Sequence, residues 1–275
     1  MESSNDATRY SAVRIDDTAE WRLTVSMRRD GMSAYLRNDG DPTQSVVTLF
    51  EERWTEDDEG LLKRIEAAVY DHPQLLDDFS TDIVITTGRT LWAPDTAVDD
   101  PESEVEIYNK VYAAEEEDIF VDEIDDMRCL YTLVPGLKAF IQRTLPGART
   151  WCQQTVEVRR FRERGDEMPR VYIDIRDGEA DFMAFSGRTL LLAATHPWRD
   201  PMEIAYHLFN ILDVCGLDPQ NCQVSLSGKR EVKSALLGKL REHVQFVMLT
   251  MMPSMVGKTE MPLAAGLLVS RISKH

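Results

Sequence analysis

The predicted order of strands and helices occurs twice along the chain, and this repeat constrains the fold more than any other feature of the sequence. Alternating apolar and polar residues at 21–28 and 32–37 flank an Asp-Gly turn and predict a β-hairpin. A third strand over 45–51, a helix over 57–71 and a short β-branched strand over 82–87 follow. The first part of the chain therefore has the order β-hairpin, β, α, β.

The second half repeats this order with negligible sequence identity. Its predicted elements are strands at 170–175, 180–185 and 188–195, a helix between Asp200 and Gly216, a strand at 223–227 and a helix at 231–243. Antiparallel strands followed by right-handed helix crossovers to parallel strands form a mixed five-stranded sheet. The fold class is therefore α/β, with two lobes that each hold a mixed five-stranded sheet flanked by helices.

The repeat also predicts the domain organisation. Residues 1–20 are polar and are expected to form a disordered tail, with no apolar stretch that could serve as a secretory signal. The first lobe spans 21–150, and the second lobe spans 151–275 and ends in a helix over 261–272. A short strand and a helix within 146–169 are expected to bridge the lobes.

Charge is concentrated in one segment of the first lobe. The chain has 31 Lys and Arg against 48 Asp and Glu, a net charge of −17, and the segment 95–126 alone contributes −13. A protein this acidic repels nucleic acid and anionic membrane surfaces, so neither is an expected partner. We interpret 95–126 as an acidic insertion that is either a solvated excursion or a docking surface for a basic protein. The candidate surface residues are Glu104, Tyr108, Tyr112, Glu115, Glu116 and Glu117.

The cysteines argue against a metal centre and for a reducing compartment. None of the four forms a CxxC pair or a four-ligand zinc pattern with histidine. No apolar run is long enough to span a membrane. We therefore expect a cytoplasmic protein without a bound metal.

Four stretches of the sequence carry a family resemblance. They are LTVSMRRDGMSAYL at 23–36, VYIDIRDGEADFMAFSGRTLLLA at 171–193, DPMEIAYHLFNILDVCGLDP at 200–219 and VSLSG at 224–228. With the duplicated order of elements, they resemble a bacterial domain family of unknown function that has an actin-like ATPase fold, which is ribonuclease H-like. Actin, sugar kinases and heat-shock chaperone ATPases share this superfamily.

The resemblance implies a nucleotide cleft with two phosphate loops, each an Asp followed by small residues, and a Gly-Gly turn beside the adenosine. Here Ser26 stands where the first Asp belongs, and Arg28 follows where a small residue is expected, although its side chain could contact a phosphate. The second loop keeps Asp174 but replaces its glycines with a bulky, acidic stretch. Vestigial cleft positions on this interpretation also include Asp177, Gly178 and Gly228. We expect hydrolysis to be lost, with no catalytic residue and no cofactor.

Three functions remain open. The leading hypothesis is a non-hydrolysing cytoplasmic module that binds or scaffolds a protein partner, with a basic protein as the candidate. The second is a divergent ATP-dependent phosphotransferase or ATPase that uses Asp174, with Mg-ATP as its cofactor. The third is a nucleotide-binding sensor without hydrolysis. A ribonuclease H-type nuclease shares the strand order, but the strands offer too few carboxylates to hold two metal ions.

Overall fold

The computed structural model describes residues 15, 17–41, 44–55, 60–98, 100–115, 118–164, 167–250 and 261–270. Its strands are β1 (Trp21–Arg28), β2 (Gly31–Asn38), β3 (Val47–Arg53), β4 (Ser80–Ile85), β5 (Thr90–Pro94), β6 (Phe120–Ile124), β7 (Met127–Tyr131), β8 (Arg149–Cys152), β9 (Arg170–Ile175), β10 (Glu179–Ser186), β11 (Thr189–Pro197), β12 (Gln223–Gly228) and β13 (Phe246–Leu249). Its α-helices are α1 (Leu61–Asp71), α2 (Pro101–Asn109), α3 (Leu137–Thr144), α4 (Gln153–Arg162), α5 (Pro201–Val214), α6 (Arg230–Leu240) and α7 (Leu263–Val269). The duplicated order of elements is confirmed.

Two sheets share one strand order. The first sheet runs β3-β2-β1-β4-β8 and the second runs β11-β10-β9-β12-β13. In each, an antiparallel hairpin joins a central strand that pairs in parallel with the strand after the first helix. The predicted pair of mixed five-stranded sheets is therefore confirmed.

The core of the second sheet forms because β9, β10 and β12 direct alternate apolar residues against α5 and α6. Helix α5 begins at an Asp200 N-cap, whose carboxylate accepts a hydrogen bond of 2.8 Å from the Met202 N–H. Its apolar face then packs on the sheet, since residues three or four positions apart lie on one side of a helix. The fully or nearly fully buried members of this core include Ile173, Phe182, Leu208, Leu226 and Leu236.

The acidic insertion is folded. Strands β6 and β7 pair antiparallel, and a third strand, β5, joins them in the order β5-β7-β6. Helix α2 starts at Asp100, which forms a capping box with Ser103. The sequence interpretation did not include β5, a short strand that follows β4 directly.

Residue contacts divide the chain into two compact units. The first unit contains 1–87, 93–153 and 253–275, and the second contains 88–92 and 154–252. This division differs from the predicted boundary, because the C-terminal stretch sorts with the first unit. The physical reason is helix α7, which is buried along its whole length, and whose Ala265 and Val269 pack against Tyr35 and Val46.

The predicted N-terminal tail lies mostly outside the described residues. Within its described part, Thr18–Glu20 form one 3-10 turn, capped by the Asp17 carboxylate, which accepts from the Ala19 N–H at 2.9 Å. Among the described residues, the helices are all too short or too polar to cross a membrane.

Candidate functional site

The first predicted phosphate loop is the turn of the β1–β2 hairpin, and its Arg28 side chain is bound within the hairpin. Ser26 is fully buried in β1, where it lies opposite Ser33 of β2. The Arg28 guanidinium forms an ion pair of 3.2 Å with the Asp30 carboxylate and donates to the Ser33 hydroxyl at 3.2 Å. Arg28, which the sequence analysis considered as a phosphate contact, is therefore bound to Asp30 and Ser33 of its own hairpin.

The second predicted loop leaves β9 at Asp174, and this carboxylate is buried. The Ser227 hydroxyl of β12, the residue beside it in the parallel register, donates a hydrogen bond of 2.7 Å to Asp174 Oδ1. Burial raises the pKa of the Asp174 carboxyl to about 6, although the Ser227 hydrogen bond opposes the rise. Asp174 is therefore a carboxylate whose charge is costly at neutral pH.

Asp174 belongs to a cluster of three buried acids. Its other members are Glu157 of α4 and Asp181 of β10. One carboxylate oxygen from each of the three residues lies within 4.8 Å of the other two. Asp181 is also the cross-strand neighbour of Asp174. Such oxygens are the ligands that hard divalent cations prefer in proteins. We call Glu157, Asp174 and Asp181 the acidic cluster.

The positive charge at the acidic cluster comes from the chain itself. The Arg176 guanidinium donates to Asp181 Oδ1 at 2.9 Å and to Glu179 Oε2 at 3.0 Å. Burial alone would lower the pKa of Arg176, but the carboxylates of Asp181, Glu179 and Asp174 raise it above its ordinary value. A divalent cation at this position would be repelled by the guanidinium, so the donor set fits an internal arginine better than a bound metal.

Neutral side chains surround the acidic cluster and fix its geometry. The Gln154 amide donates to Asp181 Oδ1 at 3.1 Å and to the Thr195 hydroxyl at 2.9 Å. The Trp92 indole N–H in turn donates to the Gln154 side-chain oxygen at 2.8 Å. Because both ends of its amide are bound, Gln154 is held in one orientation at the start of α4.

The remaining predicted cleft residues have structural partners. Asp177 forms an ion pair with Lys229, and both side chains are largely exposed. Gly178 adopts a left-handed φ of 71° at the turn before β10. Gly228 has a φ of 88°, and a Cβ there would lie 1.9 Å from the Ile175 carbonyl oxygen. Gly228 therefore allows the close approach of β12 to β9.

The candidate partner surface on the acidic insertion is smaller than predicted. Tyr108 is fully buried, and its hydroxyl lies 3.0 Å from the Thr132 hydroxyl, so it cannot contribute to an exposed surface. Glu104 is mostly buried in an ion pair of 2.7 Å with Arg128. Tyr112 is half-buried against the Tyr108 ring, with centroids 5.3 Å apart. These residues make up the inner side of the insertion.

The exposed acids of the insertion lie elsewhere. Glu115 is exposed, while Glu116 and Glu117 lie outside the described residues. Helix α2 presents Glu102 and Glu106 to solvent, and Glu106 forms an exposed ion pair of 3.0 Å with Lys110. We call Glu102, Glu106 and Glu115 the acidic face.

Sequence reasoning named Asp174 but did not name Glu157 or Asp181. A usable signal was present for Asp181, because β10 reads Ala-Asp-Phe-Met-Ala-Phe and the aspartate is its one charged residue between apolar neighbours. Burying a carboxylate in such a strand is costly unless a cation pairs with it. Glu157 lay in a predicted helix whose inward face could not be assigned from its sequence.

A family match accounts for most of the chain. The model described as "Protein of unknown function (DUF3822)" matches residues 11–247. The chain therefore belongs to this family, as the resemblance predicted. No curated protein sequence matches it.

Solved structures share the fold. A Bacteroides thetaiotaomicron protein with an actin-like ATPase fold and unknown function superimposes with a TM-score of 0.76 at 17% identity, covering 86% of this chain and 94% of that one. The PilM–PilN type IV pilus biogenesis complex gives 0.57 at 10% identity, covering 92% and 98%. The ethanolamine utilization protein EutJ of Carboxydothermus hydrogenoformans gives 0.50 at 9% identity, covering 90% and 89%. The predicted actin-like ATPase fold is confirmed.

Proposed function

We propose that this member of the DUF3822 family is a non-hydrolysing actin-fold protein that acts by binding another protein. The observation that carries the proposal is the Arg176 guanidinium, which lies 2.9 Å from Asp181 and supplies the positive charge of the acidic cluster. In ATP hydrolysis a metal ion neutralises charge on the phosphates. Here the Arg176 guanidinium is bound to Asp181, one of the three carboxylates that could recruit such an ion.

The two hairpin loops support the same conclusion. The first loop has the Ser26 hydroxyl in place of a carboxylate, and Arg28 is bound to Asp30 and Ser33. In the second loop Asp174 accepts a hydrogen bond from Ser227. A magnesium-bound triphosphate would have to break these contacts before its own could form, and we expect no turnover for that reason.

A protein partner fits the exposed chemistry of the acidic insertion. The acidic face carries Glu102 and Glu106 on the outer side of α2 and Glu115 beyond its C-terminal end. A surface of one sign attracts a partner of the opposite sign and accelerates its association. We therefore propose a basic protein segment as the partner. The PilM–PilN type IV pilus biogenesis complex, which shares this fold, is consistent with an actin-fold protein that works through a bound protein.

Nucleotide binding separates the proposal from its alternatives. We expect calorimetry with Mg-ATP and Mg-ADP to show no binding in the micromolar range, and a phosphate-release assay to show no turnover. Thermal stabilisation by ATP without phosphate release would replace the proposal with a nucleotide sensor. Turnover that is lost in Asp174→Ala and kept in the exposed control Asp177→Ala would establish the phosphotransferase or ATPase instead.

Partner capture tests the acidic face. A charge-reversed variant, Glu102→Lys with Glu106→Lys, should lose its partner from a cell lysate, and the wild-type complex should dissociate as salt increases. The matched control is Asp213→Lys with Glu231→Lys, which reverses two exposed helix acids on the second unit. Equal loss in both variants would show a nonspecific charge effect and would contradict the assignment of the acidic face.

A further inference from the structure

Two histidines form a ring stack between α5 and the edge strand β11. The centroids of the His196 and His207 rings lie 4.2 Å apart and their planes differ by 4°. Both residues are half-buried, so water and protons reach them. Parallel planes direct the nitrogen lone pairs alongside each other, and this geometry disfavours a shared metal ion.

The surroundings of the pair are apolar. On the face of β10 and β11 that packs against α5, the neighbours of His196 are Ala180, Phe182 and Leu192. The Phe182 ring meets both imidazoles edge-on, at centroid distances of 5.6 and 6.2 Å. Helix α6 contributes Val232, Leu236 and Leu237 to the same core. The neighbours that these three elements contribute to this core are apolar.

The polar groups near the pair lie on α5 and in the loop before it. Tyr206 contacts the His207 ring at 5.5 Å. Glu203 lies one turn before His207, and its carboxylate accepts from the Arg199 backbone N–H at 2.7 Å. Among the described residues, the imidazoles of His196 and His207 have no ion-pair or hydrogen-bond partner. Asp181 lies on the opposite face of β10, because side chains alternate along a strand.

In these surroundings, the number of protons on the two imidazoles determines whether the rings remain stacked. A neutral pair, or one neutral and one protonated ring, can remain stacked. Two protonated rings at this distance repel, and within the part of the chain that the structure describes no carboxylate forms an ion pair with either ring to offset the repulsion. Burial and the neighbouring His207 both lower the pKa of His196.

We propose that His196 and His207 form a proton-sensitive latch that fastens helix α5 to edge strand β11. The latch is closed while the pair holds at most one proton. The second proton separates the rings and loosens α5 from the sheet. A folded state that resists protonation loses stability as pH falls below the ordinary histidine pKa, so the latch opens on acidification.

The test follows histidine ring signals by NMR and α5 amide protection by hydrogen exchange, between pH 8 and pH 4.5, in the full chain. In wild type the His196 ring should titrate at a lower pH than it does when the second imidazole is absent. Protection of α5 at pH 5, corrected for the intrinsic exchange rate, should fall about fivefold, the effect expected from the loss of one aromatic ring contact. Amides of β12 serve as the internal reference.

His207→Phe keeps a stacked ring but removes its proton. In this variant His196 should titrate in one step at a higher pH, and α5 should stay protected at pH 5. The matched control is His243→Phe, since that ring packs edge-on against Phe209 without a second histidine. Independent titration of the rings in wild type, or equal loss of α5 protection in wild type and His207→Phe, would overturn the latch. His196→Phe provides the same test if His207→Phe does not fold.

Discussion

The β1–β2 hairpin of the first unit and the β9–β10 hairpin of the second unit share one plan but differ in charge. At matched positions in the antiparallel register, Ser26 lies opposite Ser33 and Asp174 lies opposite Asp181. The first pair carries two hydroxyls and the second carries two carboxylates. Duplication therefore kept the cross-strand position and changed its chemistry.

The arginine that follows is the same in both hairpins. Arg28 comes two residues after Ser26 and donates to Ser33 at 3.2 Å, and Arg176 comes two residues after Asp174 and donates to Asp181 at 2.9 Å. Arg28 finds its countercharge at the turn, whereas Arg176 finds it in the buried acids. The same residue type is thus a turn contact in one unit and the charge balance of a buried site in the other.

Removing the two arginines should give the largest contrast. Arg176→Ala leaves buried carboxylates without their cation, and we expect it to lower the free energy of unfolding by about 3 kcal/mol or more. Arg28→Ala removes a contact to a hydroxyl and to a half-buried aspartate, and we expect a loss of about 1 kcal/mol. Urea denaturation of both variants measures the difference, and equal losses would contradict the distinction between the hairpins.

The next largest effect on stability is expected at the strand that pairs in parallel with each hairpin. Gly228 pairs with Ile175 in the second sheet, while the first sheet has Ile85 beside Met27 at the matched position. Gly228→Ala should cost about 3 kcal/mol, because it combines a left-handed backbone with a clash against the Ile175 carbonyl. Gly178→Ala, which meets no atom within 4 Å, isolates the backbone cost of about 1 kcal/mol. Thermal denaturation should rank the two in this order.

Neutralising Asp174 should stabilise the protein. Its folded pKa of about 6 lies above the unfolded value, so the buried carboxyl favours folding at acid pH, and that stability is lost as pH rises through 6. Asp174→Asn can still accept from Ser227, and we expect a gain of up to about 3 kcal/mol at pH 8 that disappears near pH 4. Asp177→Asn is the exposed control. A gain that is independent of pH would show that the charge of Asp174 is not its cause.

The hydroxyl at the matched position should matter least. The Ser26 hydroxyl is buried and has no hydrogen-bond partner among the described residues. Ser26→Ala should therefore change the free energy of unfolding by less than about 0.5 kcal/mol at every pH. A large loss would reveal a role for this hydroxyl that its surroundings do not explain, and would weaken the contrast with Asp174.

Much of the fold could be predicted because its signals are local. The alternation in β1 and β2 and the Asp200 cap of α5 each depend on a few neighbouring residues, and each element formed where it was expected. Strand β13 was missed because it has four residues, too few for a periodic pattern. The position of α7 was missed because its partners, Tyr35 and Val46, are more than 200 residues away in sequence.

The candidate site divides in the same way. Asp174 could be found because its place at the end of a strand matches a family motif. The acidic cluster could not, because Glu157 reaches it from α4 and Asp181 from the neighbouring strand. Tyr108 shows the same limit of sequence-based prediction. An aromatic residue among acids suggests an exposed binding surface, and only the tertiary structure shows that Tyr108 is buried.

By itself, the sequence determined the duplicated order of elements, the two mixed sheets, the family and the place where negative charge is concentrated. These properties follow from hydrophobic period, turn residues and composition, which are written along the chain. Only the tertiary structure decided that Arg176 pairs with Asp181 of the acidic cluster, that His196 stacks on His207 and that α7 packs in the first unit. Each depends on side chains from separate elements, and the free energy of a buried charge or ring contact is set by whatever surrounds it in space.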